Sequence, residues 1–218
     1  MELEGTTAIV VAGTRQLGES IAADLAALGA TVELTGSPGS RDEAVAAFQK
    51  VGPVDAVVHV AGVDGGLEDR ALVETDEETW DREAEAPIRA ALFALQGARE
   101  CFGDRGGAIV VAVPSVALTG AAGLVPFASA CEGIRLLVKS AARDWGRDGV
   151  RVNCVTLPIE AWGFDPPEDH RVPNRFGASL DDTNGLGAGG AVALLVSRLS
   201  TGVTGATVGV DHGTVMAP

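Results

Sequence analysis

Five side chains in this sequence offer chemistry beyond packing: Ser115, His59, Cys131, Glu132 and Asp64. Ser115 follows the apolar run Ala108 to Val113, where a hydroxyl can bond to the oxygen of a carbonyl or alcohol, or merely end a strand. His59 stands near the end of the run Val54 to Val60, so its imidazole can exchange a proton near neutral pH or serve as a hydrogen-bonded structural residue. Cys131 is a candidate nucleophile near a helix start, yet with no basic partner nearby in sequence it reads equally as a small buried hydrophobe. The absences are as informative. The chain contains no tyrosine, and its only lysines are Lys50 and Lys139, so no phenol can serve as a proton donor in any mechanism. Three cysteines and three histidines are scattered without a CxxC pair. No metal site is expected, and the thiols are expected to be reduced.

The 218 residues suffice for one domain with a full core, and 46% of them are hydrophobic. A formal charge of −14 repels phosphate backbones, which argues against nucleic acid as a partner. The first residues are acidic, and no apolar run approaches the roughly 20 residues that span a bilayer. A cytoplasmic protein that does not enter membranes is the expectation.

The elements that must position these groups follow from periodicity. Thr7 to Ala12 is a β-branched run broken at Gly13, and Ile21, Ala22, Leu25 and Leu28 then recur at helical spacing. Thr31 to Leu34 predicts a second strand, residues 42 to 49 a helix, and Val54 to Val60 a strand buried on both faces. A long helix is expected from Glu77 to Phe102, with a kink at Pro87. Ala108 to Val113 and Val150 to Val155 predict two further strands, separated by a helix carrying Ile134, Leu137, Val138, Ala141, Ala142 and Trp145. A Pro, Gly and Asp-rich loop spans 157 to 190, followed by a helix at 191 to 199 and a last strand at 206 to 210. Alternating strands and helices predict a single α/β domain, a doubly wound and mostly parallel sheet.

Five strings give this pattern a family likeness. They are Val11-Ala12-Gly13 with Leu17-Gly18, then Val60-Ala61-Gly62, Ser115-Val116-Ala117, Arg151-Val152-Asn153, and Thr201-Gly202 through Val210-Asp211-His212-Gly213. In this order the chain, from about Gly5 to Met216, resembles the short-chain dehydrogenase/reductase superfamily. The resemblance implies a Rossmann-like fold and hydride transfer between NAD(P) and a carbonyl or alcohol. It also implies a catalytic Ser, a YxxxK pair and an Asn. Here only Ser115 matches, with Phe127 at the tyrosine position, Cys131 at the lysine and Pro87 at the asparagine. The cofactor positions that the likeness implies are Gly13, Arg15, Gly18, Ala61 and Gly62. The glycine turn is one residue short, and Gln16 stands where close approach to a pyrophosphate needs glycine. The region after the second strand is shortened as well. No cofactor is therefore expected to be required. NAD or NADP would bind weakly, with Arg15 and Arg41 as candidates for the 2′-phosphate of NADP.

The helices that relatives use for assembly, with Trp80, Ile88, Leu92 and Leu95 on one and Ile134 to Trp145 on the next, are in good order, as is the C-terminal strand. The expected role is thus a non-catalytic subunit that pairs with an intact relative, or with itself. The alternative is an enzyme for a redox-neutral reaction such as cyclisation, dehydration or isomerisation. It would use Ser115 or His59 on a small molecule beneath a lid of Trp162, Phe164 and Phe176. His170, between Glu168 and Asp169, reads as part of a solvated lid. A ligand sensor of the same ancestry is a third reading.

Overall fold

Among the described residues, six strands, all parallel, form one sheet in the order β2-β1-β3-β4-β5-β6. The computed structural model describes residues 3–13, 15–165, 187–213 and 215. The strands are β1 (Thr7–Ala12), β2 (Thr31–Gly36), β3 (Ala56–Val60), β4 (Gly107–Pro114), β5 (Val150–Leu157) and β6 (Thr207–Gly209). The helices are α1 (Arg15–Ala27), α2 (Arg41–Gln49), α3 (Glu77–Trp80), α4 (Ala86–Phe102), α5 (Val116–Thr119), α6 (Val125–Trp145) and α7 (Gly187–Val196). This is the doubly wound arrangement that the alternation predicts.

The central strands are covered on both faces, which explains their unbroken apolar character: every residue of β3 is buried, as are seven of eight in β4. Strand β2 differs. It lies at the edge, largely exposed, because α2 leads straight to β3 and no further strand is laid beyond it.

Pro87 does not kink a uniform helix. Residues Asp81–Glu85 form a π turn in which the Ala86 N–H bonds to the carbonyl of Asp81, five residues back. Proline lacks the N–H that would bond to the carbonyl four residues earlier, so a wider turn just before it relieves the conflict and α4 restarts with Pro87 in its first turn. Glu83 in that turn is buried at 1% exposure and is held by Arg82 at 2.6 Å.

Polar side chains of β5 fasten residues 195–206 to the sheet. Asn153 donates to the Val203 carbonyl at 2.8 Å and accepts from the Ala206 N–H at 3.1 Å. Arg151 spreads its guanidinium over the carbonyls of Leu195, Val196 and Ser197, satisfying orphan acceptors at the C-terminus of α7.

Where β1 and β3 end, two glycines bring backbones into direct contact. The Gly13 N–H donates to the Val60 carbonyl at 2.9 Å, and a Cβ on Gly62 would fall on the carbonyl group of Gly13. Neither neighbour is a flexible side chain, so the clash cannot relax locally. Gly62→Ala is expected to destabilise the fold by about 3 kcal/mol. Gly202→Ala, at a site with nothing within 4 Å of the new Cβ, should stay within about 0.5 kcal/mol of the parent. Urea unfolding of both variants checks the contrast.

Candidate functional site

In doubly wound sheets ligands enter at the carboxyl ends of the strands, where the strand order reverses. Here that point lies between β1 and β3, and its floor is the Gly13–Gly62 contact. Gly18, in the first turns of α1, packs against Ala12, whose Cβ occupies the place a side chain on Gly18 would need. Ala61 is buried and donates its N–H to Ala112 at 3.0 Å. Four of the five cofactor positions expected from the sequence, Gly13, Gly18, Ala61 and Gly62, thus converge at this point. Arg15 does not join them. Its guanidinium is exposed and bonds to Glu19 one turn along α1 at 2.7 Å. Arg41 is likewise engaged, by Glu100 of α4.

A single turn of 3₁₀ helix after β5, Ile159–Trp162, reaches across the same edge. The Trp162 indole N–H donates to the Ala61 carbonyl at 2.6 Å, and the side chain is buried. Trp162 therefore does not act as a loose flap: it is bonded to the turn after β3. Phe164 packs against the core from the same segment. Phe176 and the His170 group lie outside the described residues, as does most of the 157–190 loop.

Ser115 follows β4, buried at 6% exposure, and opens α5 without capping it. Its N–H donates to Leu157 at 2.7 Å, and its hydroxyl makes no hydrogen bond among the described residues. Phe127 sits in the first turn of α6, wholly buried. Cys131, one turn on, is also fully buried. Burial raises its thiol well above the ordinary value, and nearby Cys154 adds to the shift. It is therefore a packed hydrophobe with no thiolate to offer. Glu132 is tied to Arg135, which in turn donates to Thr207 of β6 at 2.8 Å. Asp64 is exposed on the loop after β3. Ser115 thus keeps, at this edge, a hydroxyl with no hydrogen bond among the described residues.

His59 departs from both expectations for it. Register places it in one row with Val11, Val111 and Cys154 on a single face of the sheet. It is 1% exposed, and neither ring nitrogen has a partner among the described residues. It is neither a hydrogen-bonded strand-end residue nor a group open to substrate. Burial alone lowers its pKa from 6.5 to about 4, so the ring is neutral at physiological pH.

Sequence reasoning missed an open cavity of about 840 Å³ at the opposite, amino edge of the sheet, lined in part by Thr6, Asp55, Arg105, Arg151 and Arg198. Two of its cations are already spent: Arg105 on Asp55 and the Val54 carbonyl, Arg151 on the end of α7. A smaller cavity of about 240 Å³, between α5 and α6, includes Val116, Ala117, Ser129 and Glu132.

Comparison with known proteins places this architecture. A family model described as enoyl-(acyl carrier protein) reductase matches residues 37–215. The chain is 30% identical to (3R)-3-hydroxyacyl-CoA dehydrogenase of Mus musculus, over 99% of this chain and 98% of that protein. The chain is a member of the short-chain dehydrogenase/reductase superfamily. Another relative in the superfamily is the 3-oxoacyl-[acyl-carrier-protein] reductase of Staphylococcus aureus, 27% identical over 96% of this chain and 87% of that one. Two solved structures share the fold. One is a short-chain type dehydrogenase/reductase from Mycobacterium ulcerans (TM-score 0.83, 20% identity, 98% of this chain and 91% of the other). The second is a 3-ketoacyl-(acyl-carrier-protein) reductase from Brucella melitensis complexed with NADH (TM-score 0.82, 17% identity, 99% and 100%). The alignment to the mouse dehydrogenase spans 263 positions against 218 residues here. That superfamily member therefore carries segments that this one lacks. Among the described residues, no helix is long and apolar enough to cross a membrane.

The neutral His59 sets an acid limit on stability. Its folded pKa lies below its unfolded value, so the unfolded chain binds the extra proton. The full contribution is present above pH 6.5 and is lost as pH falls towards 4. At about 1.4 kcal/mol per pH unit the loss approaches about 3 kcal/mol. Urea midpoints measured from pH 7 to 4.5 should fall more steeply for the parent than for His59→Leu, which removes the titrating group.

Proposed function

We propose that this chain is a non-catalytic member of the superfamily, a subunit that associates with a catalytically competent relative. The observation that carries this reading is Phe127: it stands at the position implied for the tyrosine, fully buried, in a chain with no tyrosine at all. A phenol's proton accompanies hydride transfer, and a lysine cation beside it lowers its pKa. Phenylalanine has no proton to give, and Cys131 at the lysine position brings no charge. Pro87 takes the asparagine position and adds no polar side chain.

The dinucleotide positions support the same reading, because the residues present do not fit a tightly held NAD(P). The Gly13 N–H is spent on Val60, the two candidate arginines are paired to glutamates, and the Trp162 indole is bonded to the turn that would face the cofactor. No mechanistic step is therefore routed through NAD(P). Assembly surfaces are intact by comparison. Helices α4 and α6 pack together, with Trp80 and Leu136 exposed on the helical layer. These are the elements through which a partner of the same fold would bind. A cytoplasmic location accords with the acidic, reduced-thiol character of the chain.

Ser115 supports a second reading. A serine with an unspent hydroxyl at the carboxyl edge, near a small cavity between α5 and α6, suits a redox-neutral enzyme acting on a small molecule.

Four experiments test the leading reading. The tagged chain, recovered from its native cytoplasm, should bring down a stoichiometric relative with an intact YxxxK; recovery of only the chain itself overturns the subunit reading. The purified chain should show no NAD(P)H-dependent turnover of acetoacetyl-CoA. Millimolar NADPH should leave the Trp162 emission unquenched, as judged against Trp162→Phe. Restoring the missing groups should not rescue activity: Phe127→Tyr with Cys131→Lys puts a hydroxyl and an ammonium into a closed core, and we expect a lower Tm with no turnover.

A further inference from the structure

Strand β2 ends the sheet as a bare edge, and its pleat fixes which backbone groups are bare. The Thr31 N–H donates to the Thr6 carbonyl, just ahead of β1, at 2.9 Å. Backbone groups of a strand alternate direction, so residues 31, 33 and 35 turn their N–H and C=O towards β1. Val32, Leu34 and Gly36 therefore turn theirs outward. Among the described residues nothing pairs with that outer side. An edge of this kind is a template for a further strand unless charge, proline or a bulge blunts it. Strand β2 has no proline and pairs with β1 in unbroken register; its one blunting group is Glu33.

We infer that β2 pairs antiparallel with β2 of a second copy of this chain, about a two-fold axis at Leu34, joining two sheets into one. Two symmetric registers deserve comparison. Centring on Glu33 sets the two carboxylates directly opposite each other in a non-hydrogen-bonded pair, where Cα atoms are only ~4.5 Å apart, and it uses the outward groups of two residue pairs. Centring on Leu34 makes Leu34 face its own copy and pairs Val32 with Gly36 twice over. All three outward residues are then used, for about six N–H···O bonds. Glu33 of each copy now lies opposite Thr35 of the other.

Charge favours the same register. Glu33 and Thr35 line a cavity of about 280 Å³ between β2 and α2, and Lys50 lines it too. Lys50, one of two lysines in a chain of charge −14, makes no ion pair among the described residues. In the Leu34-centred register Glu33 of the second copy arrives at that cavity beside this cation, and the exchange is reciprocal. The pairing also covers Leu34, which is 38% exposed and lies on the opposite face of the strand, near Gly18 of α1. This inference goes beyond the subunit reading and does not depend on it, since β2 is at the sheet edge and the surfaces proposed for a relative are on α4 and α6.

Light scattering coupled to size-exclusion chromatography of the purified full-length chain, at about 50 μM and without any partner, tests it. Leu34→Lys and Leu34→Glu each put like charges face to face at the axis and should halve the parent's mass. An equimolar mixture of the two variants should restore it, because only a register that sets residue 34 against residue 34 joins opposite charges. Leu34→Pro removes an outward N–H while sparing every bond to β1 and should also halve the mass, with circular dichroism confirming the fold. A monomeric parent, a mass unchanged by both charged variants, or a mixture that fails to recover would each overturn the pairing.

Discussion

The contact between Gly13 and Gly62 is the constraint around which the rest of the molecule is arranged. It locks the exits of β1 and β3 together at the point where the strand order reverses, using backbone alone. Side chains are excluded there, and α1 packs down through Gly18 onto Ala12. The turn after β3 is pinned in the same way, and this fixes the Ala61 carbonyl that the Trp162 indole uses. A ligand crevice in a fold of this type is built on such a floor. In this chain the groups above the floor are largely bonded to one another: indole to carbonyl, arginine to glutamate, glycine N–H to valine carbonyl.

Much of this was legible in the sequence, and the reasons are physical. Apolar runs such as Val54 to Val60 report strands buried on both faces, because only a covered parallel sheet tolerates them. Glycines at Gly13, Gly18 and Gly62 report close backbone approach, and all three make it. The absence of tyrosine needed no structure. The environment of His59 was not legible, since a histidine at a strand end carries no sign of whether its nitrogens find partners; only the register against Val11 and Val111 decides that. The response to Pro87 was half legible. Its missing donor announces an irregularity, but whether the helix kinks or widens depends on what the neighbouring turn packs against, and here a π turn holding buried Glu83 takes up the strain.

The bare edge of β2 illustrates a different limit. Its sequence, Thr31 to Gly36, reads as an ordinary strand, and periodicity says nothing about its place in the order. The edge position arises because α2 connects directly to β3, so among the described residues nothing is laid beside β2.

The strand order carries a consequence for how the chain is made. After β2 is placed beside β1, each later strand adds to the edge that its predecessor left open: β3 to β1, then β4, β5 and β6 in turn. A nascent chain folding from its N-terminus can therefore extend the sheet in the order of translation, without inserting any strand between two already paired. The growing front closes on β6, three residues long, reached through a turn whose Val203 and Ala206 are bonded to Asn153 of the strand before it. The β2 side is already in its final form before a third of the polypeptide has been synthesised.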